Sequence, residues 1–194
     1  MPSYHGSPFT HRVRLHFRSI SRTEQPFHTL LEHTQAVYAP YGIKIEMASG
    51  QSVKLSDDET GKYRRVDGQC TWNPSGTELG ELQAKLGQRF DPFAVTVIYV
   101  EQLDTLDTMG CAGHHPSLPA CLISRYASQW DTAHEVGHVL LTRKYSPLHS
   151  FDRLNLMAAG SRSFGPLPVL TQRQVDQMKK SPCCVPITSS RRAV

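Results

Sequence analysis

The sequence predicts a mixed α/β fold built on a twisted, mostly parallel sheet. Three observations carry that prediction. Near the N-terminus, two segments of period-two alternation flank one of helical spacing, the signature of a strand–helix–strand unit whose strands run parallel. Further along, "FAVTVIYV" (93–100) is apolar almost throughout, as a strand covered on both faces has to be. After about residue 125, helix and loop patterns replace strand patterns.

Taken in order, residues 1–10 are turn-rich and read as loose. "VRLHFRSI" places Val13, Leu15 and Phe17 opposite Arg14, His16 and Arg18, a half-buried strand. In "PFHTLLEHTQAVYAPYG", Phe27, Leu30, Leu31, Val37 and Tyr38 fall at helical spacing. Pro26 suits the first helical position, and Pro40 and Gly42 mark the end. "IKIEM" alternates again through Ile43, Ile45 and Met47. Residues 48–76 are polar and carry no readable period. "TELGELQAKLG" sets Leu79, Leu82 and Leu86 on one helix face and stops at Gly87. "MGCAGHHPSLPACLIS" reads as an irregular loop with a short edge strand, running into another strand at 120–124. Ser128 and Asp131 have capping-box spacing for a helix reaching about residue 141, and Pro147 excludes a helix interior beyond it. Thr171 and Gln174 make a second capping box, opening a terminal helix that packs through Val175 and Met178. Trp72 and Trp130 read as packing anchors. No repeat or linker interrupts 1–194, so a single domain is expected.

A chain of 194 residues, 39% hydrophobic and 20% charged, can bury one good-sized core and is not compositionally disordered. The net charge of +4 and the pI near 8.9 raise the question of nucleic acid, but Lys and Arg are scattered, as on a solvated surface. No nucleic-acid partner is expected. No apolar run approaches the ~20 residues a bilayer span requires, and the N-terminus lacks the apolar centre of a secretory signal. The chain is therefore expected to be cytoplasmic, exported by a leaderless route, or a mature form. Of five cysteines, Cys111 and Cys121 bracket a loop that a disulfide could close, and one of the adjacent pair Cys183 and Cys184 could reach Cys70. Five reduced cysteines are the equal alternative. Cys111, His114, His115 and Cys121 fit no standard structural zinc spacing. His5, His11, His16, His28 and His33 are scattered and read as surface or structural.

The informative stretch is "DTAHEVGHVLLTRKYSPLHSFDRLNLM" (131–157). His134 and His138, at i and i+4, share a helix face and can bind one metal ion. Glu135, about 100° around the helix from the first histidine, can reach a water on that ion without binding it. Gly137 lets something pack tightly between the ligands, while Ala133, Val136, Val139 and Leu140 form the apolar side. A catalytic zinc takes three protein ligands and keeps one position open. Downstream, His149, Asp152 and Tyr145 compete for the third place.

"HEVGH" followed by "HSFDRLNLM" resembles the metzincin metallopeptidases, particularly matrixin-like and small bacterial members. The specific letters cover 130–157; the order of elements agrees in outline along most of the chain. The resemblance implies a zincin-like α+β domain, with an N-terminal subdomain at 1–138 and a small C-terminal subdomain at 139–194 that ends in a helix. It makes His149 the third ligand, Glu135 the general base, and Met157 the Met-turn methionine under one zinc per chain. The implied activity is a zinc endopeptidase acting on protein or peptide substrates, laid extended along an edge strand near Met109–His114. In one respect the chain departs from the family. The pattern's helix-breaking glycine and third histidine fall at Leu141 and Lys144, and the histidine comes instead at 149. The motif helix is therefore expected to continue about another turn before "RKYSPL" loops back, a change that could bring Tyr145 near the metal. That departure also motivates a toxin-like binding module acting on one partner. A structural zinc protein with Asp152 or a cysteine as fourth ligand is the third reading. An inhibitor or immunity partner is compatible with a chain showing no recognisable zinc-blocking pro-segment, and oligomeric state is not legible.

Overall fold

A computed structural model describes residues 9–70, 76–86, 91–105, 108–113, 115, 119–160 and 165–187. His5, Trp72, Gly87, His114 and most of the loose N-terminus lie outside them.

Parallel strand pairing follows from the strand–helix–strand start. β1 (His11–Ser19) and β2 (Ile43–Ser52) pair in parallel, joined by α1 (Phe27–Tyr38) and a short 3-10 turn, Ala39–Tyr41, that ends at Gly42 with φ 71°. Pro26 stands one place earlier than expected, at the N-cap. After α2 (Asp57–Lys62), β3 (Arg65–Val66) and α3 (Glu78–Leu86), β4 (Ala94–Val100) enters beside β1 with every residue buried. β5 (Gln102–Leu103) pairs with β3 in a small second sheet, and β6 (Gly110–Ala112) leads to β7 (Ala120–Ser124). The main sheet runs β2-β1-β4-β7-β6, parallel along this path except for the antiparallel edge strand β6. The chain closes with α4 (Asp131–Leu141), α5 (Gln172–Met178) and β8 (Val185–Pro186), which pairs with the start of β1.

Strand alternation sorts the core into two. Val13, Leu15, Phe17, Val95, Val97, Tyr99, Cys121 and Ile123 face α1, α4 and α5. Ile98, Val100, Ala120 and Leu122 face Leu79, Leu82 and Leu86 of α3. β4 is thus covered on both sides, which is why it is apolar without a period. Trp130 is buried in the first core against His33. Among the described residues, no helix is long and apolar enough to cross a membrane.

Four expectations change. The outer half of β2 and the whole of α2 lie in the stretch without readable period. Residues 47–52 of this edge strand are largely exposed, so burial imposes no alternation on them, and α2 is set by its Ser56–Glu59 capping box rather than by an apolar face. The disulfide is Cys70–Cys111, with Cα atoms 5.7 Å apart, not Cys111–Cys121. On the β6–β7 ladder Cys111 pairs with Leu122 and Ala112 with Cys121, so the two cysteines point to opposite faces. Cys121, Cys183 and Cys184 are buried free thiols, and Cys70 therefore does not pair with the C-terminal cysteines. Finally, the motif helix gains no further turn. It stops at Leu141, and Thr142 takes φ 56°, ψ −179°.

Two measurements check this architecture. Alkylation of the unfolded, unreduced protein should label three of the five cysteines. Peptide mapping should then join Cys70 to Cys111, and removing that bridge by a double serine substitution should cost about 2–4 kcal/mol. Thr142 sits in a backbone region that side chains enter at a cost of order 1–3 kcal/mol. Thr142→Gly should therefore raise unfolding stability by about 1 kcal/mol in urea titration; a loss would show that the turn is not strained.

Candidate metal centre

Two buried tyrosines set the depth of α4. Tyr38 on α1 donates its hydroxyl to the Ala133 carbonyl at 2.9 Å, and the Tyr99 hydroxyl on β4 bonds Thr132 Oγ1 at 2.9 Å. At the helix start, Asp131 Oδ2 accepts from Ser128 N at 2.6 Å, one half of the expected capping box. The other half is missing: Ser128 Oγ faces Trp130 N at 3.4 Å, and Asp131 N reaches the Ser128 carbonyl instead. Ala133, Val136, Val139 and Leu140 are buried in the core, as their spacing requires.

This anchoring brings three imidazoles together. His138 Nε2 lies 3.0 Å from His134 Nε2 and 3.0 Å from His149 Nε2, and the three candidate donors fall within 4.8 Å of one another. Nitrogens bonded at about 2.0–2.1 Å to one tetrahedral zinc stand about 3.3 Å apart. The cluster therefore fits such an ion with only a slight parting of the rings. His134 Nδ1 donates to the Leu156 carbonyl at 2.7 Å, which leaves its Nε2 lone pair for a metal. His149 forms the exposed side of the cluster and His138 the buried side.

The segment that delivers His149 is tied to α4 through Met157. A Cβ built on Gly137 would stand 2.6 Å from Met157 Sδ and 3.2 Å from the Tyr38 hydroxyl, so the sulfur fills the space a side chain would take. The Met157 carbonyl accepts from Ser150 N at 2.7 Å, one residue beyond His149. Asn155 Oδ1 accepts from Met157 N at 2.9 Å, and a reciprocal amide pair joins Asn155 to Gln174 of α5. Gln174 Oε1 also accepts from Thr171 N, completing the cap of α5. The Leu156 carbonyl and the Asn155–Gln174 pair were not singled out from the sequence. A main-chain acceptor leaves no letter, and Gln174 is legible only as a capping residue.

The other two candidates for the third place are Asp152 and Tyr145. Asp152 is exposed and its carboxylate accepts from Leu154 N at 2.9 Å. Tyr145 is buried in the core with the Arg173 guanidinium 5.0 Å from its ring centre, and Asp152 is not among the His, Cys, Asp and Glu side chains that converge with the histidines. Because the helix ends at Leu141, the expected extra turn that would carry Tyr145 towards the metal does not exist. Glu135 is buried beside two of the histidines, and Oε2 has no hydrogen-bond partner among the described residues. Burial, reinforced by the charge of Asp131, pushes its carboxyl well above the usual range. A buried, unsatisfied acceptor of this kind is suited to a water or substrate proton.

The chain is similar in fold to solved structures that include the following two. One is metalloproteinase-II from Bacteroides fragilis, with 12% identity and a TM-score of 0.59; the match covers 91% of this chain and 54% of that one. The other is the archaemetzincin of Methanopyrus kandleri, with 13% identity and a TM-score of 0.51, over 88% of this chain and 95% of that one. The chain thus spans about half the length of the Bacteroides protein. At such identity the likeness is one of fold. No protein-family model and no curated protein sequence matches the chain.

The Gly137–Met157 contact predicts that Gly137→Ala lowers the stability of the metal-free protein by about 1–2 kcal/mol. Helix propensity alone would raise it by up to about 1 kcal/mol. A net gain in denaturant titration would show that the sulfur does not need that space, whereas a Met157→Ala background should abolish the loss.

Proposed function

We propose that this chain is a zinc-dependent endopeptidase of the metzincin type, with His134, His138 and His149 as ligands to one zinc per chain and Glu135 as general base. The single observation that carries the reading is the convergence of three imidazole Nε2 atoms beside a buried glutamate whose Oε2 is unsatisfied. The named fold neighbours, a metalloproteinase and an archaemetzincin, support it. Met157, packed under the helix between the two ligands, takes the part of the Met-turn.

When bound, zinc would acidify a water and polarise a substrate carbonyl. The protein's own part is to hold and move a proton. Glu135 Oε2 accepts it from the attacking water and returns it to the leaving amine nitrogen. The edge strand β6, beside α4 at the end of the sheet, supports binding of an extended peptide by strand addition. A purely structural zinc site would want a fourth side-chain ligand. Among the described residues the cluster contains three histidines and no carboxylate or thiolate.

Elemental analysis and a peptide library test the reading together. The wild type and Asp152→Ala should carry about one zinc and cleave internal peptide bonds, and His149→Ala should lose most of the metal. Glu135→Gln should keep the zinc and lose about 10²-fold or more in kcat. Full turnover by Glu135→Gln would refute the mechanism, and zinc retained without His149 would refute the ligand set.

A further inference from the structure

Among the described residues Glu135 Oε2 has no hydrogen-bond partner. What holds the rest of its side chain is Gly110, the first residue of β6. A Cβ built there would lie 2.6 Å from Glu135 Cγ, 2.9 Å from Cδ and 2.9 Å from Oε1. Three successive atoms of one buried side chain would be struck, so relief requires rotation about Cα–Cβ, which would carry the whole carboxyl off its present aim. Gly137 differs in this respect, because the obstruction there is the outer part of a flexible methionine.

Gly110 is itself held on both sides. It pairs with Ile123 on β7, and the preceding Met109 carbonyl accepts from Ser124 N at 2.9 Å. The next residue, Cys111, is bonded to Cys70. The strand cannot easily retreat from α4, and the glutamate cannot retreat into a buried helix face.

We propose that Gly110 is a positioning residue for the general base. Its bare Cα is the seat against which Cγ, Cδ and Oε1 of Glu135 rest, so the carboxyl is aimed with Oε2 as the oxygen left to take the proton. One strand then has two duties, aligning an extended substrate and aiming the base. This inference rests on the peptidase reading only for its catalytic consequence; the seat stands on packing alone.

The experiment keeps the two apart. In metal-free protein, Gly110→Ala should lower the thermal midpoint by about 3–9 °C. In a Glu135→Ala background, where the struck atoms are gone, the same substitution should leave the midpoint unchanged or higher, because a strand alanine restricts the unfolded chain more than glycine does. Folding of the double variant when Gly110→Ala alone fails to fold would support the seat equally; equal losses in both backgrounds, or failure of both to fold, would overturn it. In zinc-loaded protein, Gly110→Ala should lower kcat at least about tenfold with KM within about twofold and zinc content unchanged. Wild-type kcat in that variant would overturn the positioning role. Should the parent enzyme cleave nothing although zinc is bound, the peptidase reading fails while the thermal cycle still decides the seat.

Discussion

The contact between Met157 Sδ and the bare face of Gly137 is the constraint on which the site depends. His134 and His138 come with their helix, but His149 sits on an irregular segment with little burial of its own. Such a segment has no intrinsic reason to present an imidazole to within 3.0 Å of another. Met157 supplies one by seating its side chain under α4 between the two helical histidines. From there its carbonyl holds Ser150, and the neighbouring Leu156 carbonyl holds the His134 ring. One buried side chain thereby refers all three nitrogens to a common origin.

Around that origin several buried polar groups are satisfied in pairs. Asn155 and Gln174 satisfy each other in the core, where an unpaired amide would cost about 1–3 kcal/mol, and in doing so they lock the Met157 turn to the cap of α5. Tyr38 and Tyr99 spend their hydroxyls on the first turn of α4. Glu135 Oε2, by contrast, has no hydrogen-bond partner among the described residues, as suits the proton-moving role proposed for it. Gly110 of β6 lies against Cγ, Cδ and Oε1 of the same side chain.

The end of α4 shows how a loop of unfamiliar length is accommodated. The position at which the resembling family turns its helix with glycine is Leu141 here, and the turn moves one residue on to Thr142 at φ 56°. Its amide still completes a helical bond to the His138 carbonyl, while its hydroxyl accepts from Lys144 N at 3.3 Å. Local strain is tolerated because the helix must stop before the chain can return to the histidine cluster. The extra residues go into the loop through Tyr145, whose ring packs in the core, and not into helix length.

The sequence by itself determined the strand–helix–strand start, the doubly covered central strand, the 120–124 strand, the two-histidine helix with its apolar side, and the capping box at Thr171. Each is written in periodicity or in local pairs of residues, which act over a few positions and need no tertiary partner. Resemblance rather than period pointed to His149 and Met157, which the structure brings to the histidine cluster and to Gly137. Only the tertiary structure decided the Cys70–Cys111 pairing, since the ladder register turns Cys121 to the opposite face. It alone revealed the second half of β2, where edge exposure removes the pattern. The Leu156 carbonyl and the seat at Gly110 were equally hidden, one because main-chain groups carry no sequence signal, the other because a missing Cβ has meaning only once another element is packed against it.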